Sequence, residues 1–144
     1  MTEIYLIAVD GSSASHRALS YTIDRAKAAD AKVVLAHVLE WSPYSFLTKE
    51  ELEERHARRL QEVVRAETMI LGPMQKTLSE HGLAADCVVR YGHVAETLCD
   101  IAKECDATQI VVGRMGQSGL TARLFGSVAG SLAQVAPVPC TIVP

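Results

Sequence analysis

Aromatic side chains are scarce in this chain, at 5% of its residues. A core has to be built instead from Val, Ile, Leu and Ala, a palette that suits strands covered by closely approaching helices. Neither sign of charge dominates, since the formal net charge is only −3. No basic stripe or polybasic tail is present, which argues against nucleic acid and anionic membrane as partners. No apolar run approaches the ~20 residues that a membrane-spanning helix needs. The start, Met1-Thr2-Glu3, has no basic leader region and leads into an apolar run of strand length only, so no signal peptide is expected. The four cysteines, Cys87, Cys99, Cys105 and Cys140, have no Cys-x-x-Cys spacing. Scattered cysteines without a leader point to a reducing, cytoplasmic setting, each thiol serving as a small buried group.

Two motif absences narrow the field further. No Gly-Lys-Ser or Gly-Lys-Thr occurs, so the chain has no P-loop, and no Gly-x-Gly-x-x-Gly follows the first strand, so the dinucleotide fingerprint is missing. Metal chemistry finds no support either. His16, His37, His56, His81 and His93 are not paired with cysteine or carboxylate at ligand spacing, and His37 reads as a satisfied core or rim residue. No Ser-His-Asp set and no paired carboxylates stand in a catalytic pattern. No catalytic and no metal-binding residue is assigned.

What is present is the composition of one globular domain over residues 1–144, with 49% apolar and 22% charged residues. Strand and helix patterns alternate along it. Ile4–Val9 is apolar on both faces, as a central parallel strand is. Gly11-Ser12-Ser13 turns into a helix ending near Ala29, with Ala14, Ala18, Leu19, Ile23 and Ala26 at helical spacing. Lys32–Leu39 is a second strand. Thr48-x-x-Glu51 is a capping box that starts a long helix. Leu52, Leu60, Val63 and Val64 mark its expected buried face, and the mixed charges of Lys49–Arg59 its solvated one. Gly72-Pro73 is expected to kink or break it. A third strand centres on Cys87-Val88-Val89. Val94, Leu98, Ile101, Ala102 and Cys105 then fall on one stripe of the clearest helix. Ile110–Val112 is the fourth strand, Ser127 to about Ala136 the last helix, and Cys140–Val143 the last strand. This order predicts an α/β fold: a single-domain, five-stranded parallel sheet with helices on both faces, Rossmann-like in layout.

In open parallel sheets ligands bind beyond the carboxyl ends of the strands, where strand order reverses. Strand one ends in Asp10-Gly11-Ser12 and strand four opens a Gly-rich stretch from Gly113 to Ser127. Gly113 lacks a side chain, so a ligand is expected to approach its backbone closely. Gly116 permits a turn that points amides inward. Gly126-Ser127 opens the last helix, whose free amides and positive dipole end form an anion site, with Ser127 expected as its N-cap. Any one of these glycines alone is equally plain turn chemistry, and Asp10 equally plain helix capping. The set at this spacing favours nucleotide binding.

The spacing Gly113-x2-Gly116-x9-Gly126-Ser127 resembles the ATP-binding signature of the universal stress protein family. Its flanks agree: Ile110-Val111-Val112 before it, Leu124-Phe125-Gly126-Ser127-Val128-Ala129 at its end, the closing Ala136–Val143, the opening Ile7–Ser12, and Ala36-His37-Val38. The resemblance covers the whole chain and carries the adenine nucleotide alpha hydrolase-like fold with it. It implies a nucleotide site made of Ala8, Val9, Asp10, Val38, Val112, Gly113, Arg114, Gly116, Gly126, Ser127 and Val128. Asp10 would sit beside adenine or ribose, the Val38 backbone against adenine, and Gly113 against ribose. Gly116, Gly126, Ser127 and Val128 would cradle phosphates. One departure is that Arg114-Met115 stand where the family often has Ser-His. A phosphate contact and a solvent-facing role both fit Arg114. The resemblance further implies ATP, with magnesium as a companion ion, a homodimer paired through strand 140–143, and a protein partner that the sequence does not identify. Three function classes follow: an ATP-binding stress or regulatory module, a slow ATPase or AMP- or cyclic-nucleotide-binding regulator, and an interaction protein needing no nucleotide. The kept glycine signature favours the first.

Overall fold

Leu6 and Ile7 are both fully buried although they are neighbours on one strand, because successive side chains of a strand point to opposite faces and here both faces are covered. The computed structural model describes residues 2–40, 48–115 and 126–144. Among them run five strands: β1 (Ile4–Ala8), β2 (Lys32–Leu39), β3 (Ala85–Tyr91), β4 (Gln109–Gly113) and β5 (Cys140–Val143). Their order is β3-β2-β1-β4-β5 and every neighbouring pair is parallel. Ile7 stands beside Leu35 on one side and Val111 on the other.

Helices α1 (Ser13–Ala29) and α3 (Gly72–Glu80) cover one face, and α4 (Val94–Glu104) and α5 (Ser127–Val135) the other. On the first face Ile7, Leu35 and Val111 pack with Leu19, Ile23, Met74 and Leu78. On the second, Leu6, Val34 and Ile110 pack with Leu98, Ile101 and Leu132. Burying one such side chain contributes about 1.5–3 kcal/mol, so the two clusters hold the helices to the sheet. The expected architecture is the observed one, strand by strand.

One expectation fails around α2 (Lys49–Ala66). Its start is as read, with Thr48 Oγ1 accepting from the Glu51 amide at 3.2 Å. Its apolar stripe, however, is not buried: Leu52, Leu60 and Val64 are 53, 57 and 57% exposed, and Val63 is half-buried. The body-facing side is polar instead. Tyr91 Oη donates to Glu62 Oε2 at 2.6 Å, and the Arg59 guanidinium lies 5.2 Å from the centre of the Tyr91 ring. At Gly72-Pro73 the α-helical pattern is interrupted and then resumes, as expected. A π-helical turn, Glu67–Leu71, joins α2 to α3, and the Gly72 amide donates to the Glu67 carbonyl five residues back. The extra residue in that turn accommodates Pro73, which has no amide to donate and enters α3 in its first turn.

Candidate functional site

The connection leaving β1 runs to β2 on one side of it, whereas the one leaving β3 returns to β4 on the other. The reversal opens a cleft between the carboxyl ends of β1 and β4, where parallel sheets hold ligands. A cavity of ≈ 320 Å³ lies there. Apart from Ala8, Val9 and Asp10 of the β1 end, it is lined from β2 through Val38, from β4 through Val112 and Gly113, and from α5 through Gly126, Ser127 and Val128.

Beyond β1 the chain must turn sharply into α1. Gly11 takes a φ of 80°, a left-handed value that glycine adopts without strain. Asp10 Oδ1 accepts from the Ser12 amide at 2.9 Å. Ser12 then caps α1, its Oγ accepting from the Ser15 amide at 3.2 Å while Ser15 Oγ donates to the Ser12 carbonyl at 2.9 Å. Asp10 therefore shapes the turn and lines the cleft at once. Across from it, His37 Nδ1 lies 2.7 Å from the Val9 carbonyl oxygen. A carbonyl only accepts, so Nδ1 carries the proton, and this bond ties the ends of β1 and β2 together. The half-buried His37 is satisfied, as its place in a strand suggested.

The bareness of Gly113 serves a packing contact that the sequence did not announce. A Cβ on it would stand 2.7 Å from Ala14 Cβ and 2.9 Å from the Ala14 carbonyl carbon and oxygen. The missing side chain lets the first turn of α1 sit against the end of β4. Gly113 still lines the cleft.

Ser127 is not the N-cap. Gly126 takes that position, with φ −66° and ψ 160°, and among the described residues no side chain caps the helix. The first turn closes through the Gly130 amide to the Gly126 carbonyl at 3.0 Å. An α-helix gives its opening amides no intrahelical acceptor, so the amides of Ser127, Val128 and Ala129 face the cleft end of α5 with the positive pole of its dipole. Because the cap is glycine, no chain atom of the cap competes for them. Backbone bonds brace this corner: the Gly126 amide donates to the Arg114 carbonyl and the Arg114 amide to the Val143 carbonyl, at 2.6 and 2.7 Å. The Arg114 side chain is exposed and Arg114 is outside the cleft lining. Gly116 lies outside the described residues.

The sequence reading missed Ser12, Ser15, Ala36, His37, Glu40, Val94, Leu98, Met115 and Ala129 as cleft residues. The apolar stripe of α4 had already marked Val94 and Leu98 as inward-facing. Nothing local marked Glu40, whereas Met115 stands inside the Gly-rich stretch already singled out. Among the described residues no cluster of three or more His, Cys, Asp or Glu can hold a metal ion, and no helix is long and apolar enough to cross a membrane.

Comparison with known proteins places this geometry. The family model for the universal stress protein family matches residues 1–144. Universal stress protein YxiE of Bacillus subtilis is 30% identical over 145 aligned positions, covering 96% of either chain. Among solved structures, universal stress protein UspA from Lactobacillus plantarum shares the fold with a TM-score of 0.84 at 19% identity, covering 99% of this chain and 97% of its own. The universal stress protein from Archaeoglobus fulgidus in complex with dAMP has a TM-score of 0.67 at 20% identity, covering 100 and 98%.

Proposed function

The chain belongs to the universal stress protein family, and on that premise we propose that it binds an adenine nucleotide, ATP first, in the cleft between β1 and β4. The observation that carries this is the uncapped start of α5, which presents the amides of Ser127, Val128 and Ala129 beside an apolar floor of Ala8, Val38 and Val112. Phosphate oxygens take those amides, each such charged hydrogen bond contributing about 1.5–3 kcal/mol. The base lies on the backbone of Val38, and Asp10 faces the ribose. The relative from Archaeoglobus fulgidus, solved with dAMP, supports the class of ligand. A magnesium ion arrives with the triphosphate, since one or two carboxylates plus phosphates are its usual company. As a binding module the protein works as a homodimer joined along Cys140–Val143, a short strand at the edge of the sheet that a second copy covers.

Nucleotide released from freshly purified, denatured protein and identified by mass spectrometry is the direct test, with near one ATP per chain expected. Thermal unfolding supplies the second arm. At a hundredfold excess over the dissociation constant, ATP stabilises the fold by about 2.7 kcal/mol. Ser127→Asp separates binding from folding. A carboxylate in the first turn suits the helix dipole by about 0.3–1 kcal/mol, so the unliganded variant melts no lower than the parent. The same carboxylate repels phosphate, so the ATP-induced rise disappears. A Ser127→Asp protein that keeps the full rise removes the α5 site from the proposal.

A further inference from the structure

Ala36 and Val38 of β2 pack into the buried cluster that holds Leu98 of α4 and Ala129 of α5. Side chains two apart on a strand share a face, and Glu40 stands next on that row, one position beyond the end of β2. The Gly92 amide donates to the Leu39 carbonyl at 3.0 Å and keeps the backbone in the ladder up to that point. Glu40 lines the cleft and is exposed at its mouth.

Most of the other polar side chains of the cleft are engaged by the chain itself. Asp10 holds the Ser12 amide, Ser12 and Ser15 close the first turn of α1, and His37 is bonded to the Val9 carbonyl. Among the described residues, the side chains of Glu40 and Ser127 hold no such bond. These two stand at opposite ends of the cleft. Ser127 is tied to the end of β4 through the bond from the Gly126 amide to the Arg114 carbonyl, whereas Glu40 follows β2. Strand β1 runs between β2 and β4, so at ordinary strand spacing their ends are about 10 Å apart. That separation is close to the length of a nucleoside. A nucleotide whose phosphates take the α5 amides therefore brings the far edge of its base to Glu40. An ionised carboxylate accepts hydrogen bonds and donates none, so it rewards an amine on that edge.

We propose that Glu40 is a specificity-determining residue of the cleft, its carboxylate accepting a hydrogen bond from the exocyclic 6-amino group of adenine. The inference rests on the nucleotide reading above and adds to it how a base with the amine is told from one without. Removing the carboxylate also eases its repulsion of the phosphates, but equally for any triphosphate. The ratio of two affinities, and not either alone, reports the contact.

Isothermal titration of the full chain with ATP and with purine riboside triphosphate, which carries hydrogen in place of the amine, tests this. The wild type is expected to prefer ATP about tenfold, the lower range for a charged acceptor because the rim is solvent-exposed. In Glu40→Ala the two affinities are expected to converge, with the melting temperature of the unliganded protein held because the side chain is exposed. Glu40→Gln keeps an acceptor oxygen and is expected to keep part of the preference. A Glu40→Ala protein with the wild-type ratio overturns the proposal. So does a Glu40→Ala protein that loses a preference for ATP over 2′-deoxy-ATP instead, since the carboxylate would then meet the ribose. Equal wild-type affinity for ATP and the amine-free analogue overturns the role of Glu40 and leaves nucleotide binding standing, whereas binding of neither overturns the cleft reading itself.

Discussion

At Gly113 the demand on the residue is volume. Any Cβ there meets the backbone of Ala14 below 3 Å, and backbone does not give way as the end of a flexible side chain does. Gly113→Val is therefore expected to lower stability by about 1–3 kcal/mol, the usual cost of overpacking, in urea unfolding without nucleotide. A stability within error of the parent would mean that α1 moves freely off β4. Gly126 is an opposite case, since its φ and ψ suit any residue. What glycine brings there is the lack of a side chain that would cap α5 from within. Gly126→Asp supplies such a cap, and it is expected to stabilise the unliganded fold while removing the ATP-induced rise in melting temperature. Asp10 and His37 hold the cleft by short bonds to Ser12 and Val9, so substitution at either disturbs the turn geometry as well as the lining.

Among the elements, α2 depends on its cap and on its contact with Tyr91. Thr48→Ala removes the acceptor for the Glu51 amide and is expected to cost about 1 kcal/mol, read by denaturant unfolding. Tyr91 sets a pH limit at the same place. Burial, then its hydrogen bond to Glu62, pushes the phenol up to about 12 from an ordinary value of 10.0. A group whose folded value is raised contributes stability that is complete below its unfolded value and is lost as pH rises through the folded one. Stability is thus expected to fall between pH 10 and about 12, and the fall to be shallower in Tyr91→Phe, measured by urea unfolding across that range. An identical slope in the variant would assign the loss to other groups.

For the whole molecule, the strand order decides more than any single contact. Placing β1 between β2 and β4 brings Asp10, Val38 and Ser127 to one cleft although they are far apart along the chain. The same order leaves β3 and β5 at the edges, and the polar footing of α2 on β3 turns its apolar stripe outward.

The alternation of Val- and Ile-rich runs with helical stripes was enough to determine the parallel sheet, because burial on both faces leaves its mark in the central strands β1, β2 and β4, and short-range caps, Ser12 and Thr48, mark the starts of α1 and α2. The Gly113–Ser127 spacing likewise determined where to look for an anion. What the sequence did not contain was which neighbour each small residue serves. That Gly113 also makes room for Ala14 was not legible, since a close approach between two elements distant in sequence exists only once both are placed. Ser127 looked like a cap and stands one residue inside it, a difference of backbone angles at Gly126. The stripe of Leu60 and Val64 looked buried because helical periodicity identifies a face and not its direction. That direction was decided by Tyr91, whose ring and hydroxyl bind the charged side of α2 and leave the apolar side to solvent.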